Sequence, residues 1–175
     1  MMGASALRAL LTPMLGEPGA GLAFALVLLV AVVVSRTEPG NRRPAALIVG
    51  AAVGATLLLP GLWLHWAGLP PRAWYIPAPA LAGYSAALLL IVPAEELFLR
   101  GALQPEIRRA LGPGAAIGLT ALLFAAIHVM AYGVVAIPLD FGVGLLLGWL
   151  RERTGSTAAC IVAHLLADLG SWWLP

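Results

Sequence analysis

The chain has 175 residues, of which 61% are hydrophobic and only 10% charged, with a mean hydropathy of +0.95. So few charges cannot clothe a water-soluble surface of this size, which makes the chain an integral membrane protein, read as one domain over residues 1–175. All ten basic residues are arginine, the net charge is only +2, and the single cysteine, Cys160, excludes an intramolecular disulfide. The pI near 9.2 therefore reflects scarce charges and gives no basic patch for nucleic acid.

Residues 1–15 read as a short interfacial helix. The apolar run from about Gly19 to Ser35 follows Arg8 without a small-residue cleavage site, so it reads as a retained helix. Hydrophobicity, punctuated by Gly, Pro and Arg, then predicts an all-α, polytopic bundle of about six spans. They fall near 18–35, 45–67, 79–103, 114–132, 134–150 and 156–174. The third continues through the amphipathic "QPEIRRAL" to about Leu111, where "GPG" ends it. Gly50 and Gly54, and again Gly144 and Gly148, stand four apart and allow helices to approach closely.

Arginine placement orients this bundle. Arg36, Arg42, Arg43, Arg108, Arg109, Arg151 and Arg153 fall on one side, against Arg8 and Arg72 on the other. The positive-inside rule then places both termini outside the cytoplasm of a bacterial inner membrane. Trp63, Trp66, Trp74, Tyr75, Tyr132, Trp172 and Trp173 cluster at the outer ends, and Trp149 marks an inner one.

Within the spans, ionisable residues are few. "VPAEELFLRGAL" sets Glu95 and Glu96 in apolar surroundings, with Arg100 one turn after Glu96 and able to pair with it. Glu95 is rotated about 100° from Glu96 and projects elsewhere. His128 ends "FAAIH", while His164 and Asp168 share a face in "HLLAD". Counted at helical rise, all four non-paired groups lie roughly 13–21 Å from the inner helix ends, in the middle layer of a bilayer. A charge there costs about 2.5–3.5 kcal/mol on the mildest scale, so convergence in one polar pocket is the expected solution. A carboxylate beside two imidazoles in a dry site suits general-base activation of water. The motif-bearing core spans about 79–174.

"EELFLRG", "FAAIH" and "HLLAD", in this order on separate apolar helices, resemble the motifs of the CAAX-protease and bacteriocin-processing family of intramembrane proteases. "PLDFGVGLLLGWLRERTGS" resembles the segment preceding the last motif in that family. The resemblance implies that Glu95 activates water, His128 positions it, His164 and Asp168 form the oxyanion side, and Glu96 with Arg100 forms a supporting ion pair. It further implies a protein or peptide substrate with a C-terminal membrane anchor or lipidated tail, met within the lipid bilayer. An all-Arg, Ala/Leu/Gly/Pro-rich composition points to a GC-rich bacterial genome, and for a compact six-span member the resemblance then implies a myxosortase-like sorting protease. Leu99 stands where the family commonly has Phe, and Asp168 where it often has Asn.

Other readings are open at this level. Two histidines and a carboxylate (His128, His164, Glu95) also form a plausible zinc set, although H-E-x-x-H is absent and no cofactor is the favoured expectation. Cys160 and His164 share a helical face, as a Cys–His nucleophile would. Intramembrane acids and histidines also line proton-coupled transporters, though no repeated halves are visible. His65, between Trp63 and Trp66, reads as interfacial. Asp140 either lines the pocket entrance or sits in a wet break.

Overall fold

The computed structural model describes residues 23–33, 40, 43–67 and 81–171, and among these every element is helical. They are α1 (Ala23–Val33), α2 (Pro44–Leu57), α3 (Leu59–Trp66), α4 (Leu81–Glu96), α5 (Gln104–Tyr132), α6 (Ile137–Thr154) and α7 (Thr157–Ser171). A π-helical segment, Leu97–Leu103, joins α4 to α5, and a 3-10 turn, Val134–Ala136, precedes α6. The expectations for residues 1–15, for Arg8, Arg36, Arg42 and Arg72, and for Trp74, Tyr75, Trp172 and Trp173 fall outside the described residues, as do the side chains of Tyr132 and His65.

Two described stretches are long and apolar enough to cross a bilayer, Ser85–Val129 and Val134–Thr154; α1, α2 and α7 are shorter apolar helices. The first stretch is not one rod. Gly112 adopts φ 84° and ψ 170°, a left-handed-side conformation open to glycine, and Pro113 restarts the helix. Twelve residues on either side of Gly112, the Arg100 guanidinium carbon lies 4.9 Å from the Phe124 ring centre. A straight helix would hold those residues about 36 Å apart, so the chain folds back at the "GPG" break. The expected second span, 45–67, is interrupted at Leu58, because Pro60 has no N–H to give to Thr56.

Side-chain contacts set helix directions. Gln104 and Arg108, one and two turns further than Arg100, reach Gly148 and Glu152 as Arg100 reaches Gly144, so this leg runs parallel to α6. The return leg of α5 runs antiparallel to α6, with Ala121 against Gly144 and Ile117 against Gly148. A Cβ on Gly144 would come within 2.8 Å of the Ala121 backbone. Gly50 and Gly54 touch Ala159 and Ala163, which makes α2 and α7 parallel neighbours. Both glycine pairs thus serve the close packing that replaces the hydrophobic effect between helices in lipid. Large apolar side chains such as Val33, Leu89 and Leu122 face outward, as a lipid-facing surface requires.

Two apolar clusters result. One joins Phe24, Ala25 and Leu28 of α1 to Ala94, Leu99, Phe124 and Ile127. The other joins Ala46 of α2 to Leu147, Leu150, Ala159, Cys160 and Ala163. Phe124 belongs to the first cluster and contacts His164 of α7. Along this seam lie the buried ionisable groups.

Candidate active site

Glu96 and Arg100 are fully buried at the junction of α4 and the π segment. Arg100 Nη1 donates to Glu96 Oε1 at 3.2 Å, forming the expected one-turn ion pair. Arg100 Nη2 donates to the Gly144 carbonyl at 3.3 Å, where α6 has no side chain in the way. Glu96 does more than the sequence predicts. The same Oε1 accepts a 3.0 Å hydrogen bond from His164 Nδ1 of α7, so one carboxylate ties the arginine to an imidazole from a distant helix.

Each histidine is held through Nδ1. His128 donates Nδ1–H to the Phe124 carbonyl one turn earlier, at 2.8 Å. With Nδ1 of both rings engaged, Nε2 is the remaining ring nitrogen of each, and that of His164 also faces Asp168. Glu95 is buried, and an oxygen of Glu95 and a ring nitrogen from each of His128 and His164 all lie within 4.8 Å of one another. Three helices, α4, α5 and α7, thereby deliver one carboxylate and two imidazoles to a single point. The group is compact enough to share a water, and its donors are also of the type that zinc accepts.

Phe124 is the apolar floor of this site. Its ring centre lies 4.3 Å from that of His128 and 5.3 Å from that of His164, with Arg100 against it. The Phe of the expected Phe-x-x-x-His motif was the signal for this role, and reading the motif for its histidine alone misses it.

Asp168 lies one turn after His164, with Oδ2 3.5 Å from His164 Nε2. Asp140 stands in the first turn of α6, half-buried and close enough to Asp168 and His164 to feel their charges. Its Oδ2 has no hydrogen-bond partner among the described residues. Cys160 is turned away from this chemistry. Its thiol donates toward the Leu147 and Ser156 carbonyls at 3.4 and 3.5 Å, while both His164 nitrogens face carboxylates, so the Cys–His arrangement does not form.

Two further polar residues take part in packing contacts that the sequence does not show, although Arg151 reads there as an inner-side arginine. Gln104 is buried and bridges the Gly148 carbonyl and Glu152, and Arg151 donates Nε–H to the Arg100 carbonyl at 3.0 Å. Each reaches a backbone carbonyl of another helix, Gly148 for Gln104 and Arg100 for Arg151, and such contacts leave no trace in side-chain spacing.

The family model for type II CAAX prenyl endopeptidase Rce1-like proteins matches residues 77–170, which carry the two glutamates, Arg100, both histidines and Asp168. No curated protein and no solved structure matches the chain. The match covers more than half of the sequence and the whole buried constellation: the chain belongs to the type II CAAX prenyl endopeptidase Rce1-like family and is an integral membrane protease.

Proposed function

We propose that this protein hydrolyses a peptide bond in the C-terminal tail or anchor region of a membrane-associated or lipidated protein, using water activated by Glu95. The observation that carries the reading is the meeting of Glu95, His128 and His164 within 4.8 Å at a buried point fed by three helices. Glu95 takes a proton from a water that His128 Nε2 helps to orient, and the oxygen adds to the scissile carbonyl. His164, flanked by the Glu96 and Asp168 carboxylates, which favour its imidazolium form, turns Nε2–H toward the developing oxyanion. The intermediate collapses as the C–N bond breaks, and the proton on Glu95 passes to the leaving amine. A carboxylate at position 168 has a place in this scheme because it supports the imidazolium rather than the oxyanion itself. The family resemblance of a chain this compact favours a myxosortase-like sorting role for the activity.

A second reading is supported by the same donors. Zinc held by Glu95, His128 and His164 would supply Lewis-acid activation of the water. The two histidines come from separate helices, without the two-His helical motif typical of zinc peptidases, and this favours the metal-free scheme. Exhaustive chelation separates the two. Purified protein that keeps its turnover and holds well under one zinc per chain supports glutamate catalysis; turnover lost on chelation and restored by one equivalent of zinc overturns it.

We also propose six spans in a bacterial inner membrane, with both termini outside the cytoplasm. The parallel pairings of α2 with α7 and of the α4 leg with α6 agree with an alternating path. A reporter fused at the C-terminus is expected to score as periplasmic. A cytoplasmic score would reverse the orientation.

A further inference from the structure

The helix that bears both glutamates changes register immediately after Glu96. Over Leu97–Leu103 it is π-helical, and the Gln104 N–H bonds the Leu99 carbonyl five residues back. Single π turns inside α-helices need a reason to persist, since their hydrogen bonds are no stronger and the turn is wider. In this register the next bond would run from residue 105 to the Arg100 carbonyl, and residue 105 is proline, which has no N–H. The Gln104 N–H is already committed to Leu99. The Arg100 carbonyl is therefore orphaned by its own helix in a fully buried position, at a cost of about 1–3 kcal/mol if left unmet.

Arg151 meets it. Its buried guanidinium, from α6, donates Nε–H to that carbonyl at 3.0 Å. One extra residue in a turn rotates everything before it by about 100° relative to everything after it. Downstream of the π turn, Gln104 and Arg108 are pinned to Gly148 and Glu152 of α6. Upstream, Glu96 is pinned to His164 of α7. Collapse of the turn to ordinary α-helix would break one set or the other, and would swing Glu95 away from His128 and His164.

We infer that Arg151 is a positioning residue for the glutamates: by capping the Arg100 carbonyl it holds the π turn that aims Glu95 and Glu96 at α7. The inference rests on the reading of Glu95 as the base. It also predicts a change that can be seen without turnover, in the Glu96–His164 hydrogen bond.

Arg151→Ala in the full-length protein is expected to lower kcat at least tenfold with KM within about twofold, since it misaims the base without touching substrate. The 15N NMR signal of the hydrogen-bonded His164 Nδ1–H should shift or vanish in the same variant. Arg151 engages more than this one carbonyl, so the deciding variant is Arg151→Ala/Pro105→Ala. Alanine at 105 restores an N–H that can cap Arg100 in the π register, and the double variant should recover most of kcat and the His164 signal. Arg151→Lys, still a donor, should recover part of both. If Arg151→Ala does not fold, the same restoration is read as recovery of folded protein. An unchanged kcat and His164 signal in Arg151→Ala, or a double variant no better than the single, would overturn the inference. A restored His164 signal in a protein whose wild type cleaves nothing would keep Arg151 as the holder of the turn and reject the protease reading instead.

Discussion

Glu95→Gln is expected to lower turnover by at least about 100-fold while the protein stays folded. General-base catalysis contributes about 10²–10⁴-fold, and an amide cannot accept the proton from water. The substitution conserves volume at a buried position on α4, and the Glu96–Arg100–His164 chain does not pass through it. The thermal midpoint in detergent should therefore move by no more than a few degrees. Both halves matter. Lost activity with a large loss of stability would make Glu95 a structural anchor, and near-normal turnover would remove it from the chemistry altogether.

The second large effect belongs to the ion pair. Arg100→Ala leaves the Glu96 carboxylate buried without its principal counter-charge, and removes the second donor to the Gly144 carbonyl. Breaking one side of a buried pair costs about 3–5 kcal/mol, so the thermal midpoint should fall by roughly 10 °C. Glu96→Gln strands Arg100 in turn, and a neutral amide holds His164 less firmly. Activity and stability should fall together in both variants, measured by turnover and by thermal unfolding of the same preparation. This joint loss separates the pair from Glu95. A Glu96→Gln variant as stable as wild type would show that Arg100 is neutralised by other means.

Much of this site is legible in the sequence for one reason. In a chain so poor in charge, every ionisable group placed mid-span has to be accommodated, and Glu95, Glu96, Arg100, His128, His164 and Asp168 are nearly all of them. The Glu96–Arg100 pair follows from one-turn spacing on a single helix, and the structure places it there. The fold-back at Gly112 follows from "GPG", since glycine tolerates the positive φ and proline restarts the helix. What spacing along one helix cannot show is where a neighbouring helix points its side chains. His164 reaching Glu96 depends on the rotation of α7 against α4, which is set by the approach of Gly50 and Gly54 to Ala159 and Ala163 on the other side of α7. The π turn is hidden for a related reason: Pro105 announces a missing donor, but the arginine that compensates for it lies 51 residues after Arg100. Pro60 divides a stretch whose apolar run reads as unbroken.

Hydrolysis at the Glu95–His128–His164 point is the central claim. The direct measurement is mass spectrometry of a synthetic membrane-anchored tail peptide incubated with the purified protein in lipid nanodiscs, in chelator, beside Glu95→Gln. The expected result is two defined fragments whose masses sum to that of the peptide plus one water, formed by the wild type and absent with the variant. Equal cleavage by both proteins would contradict it.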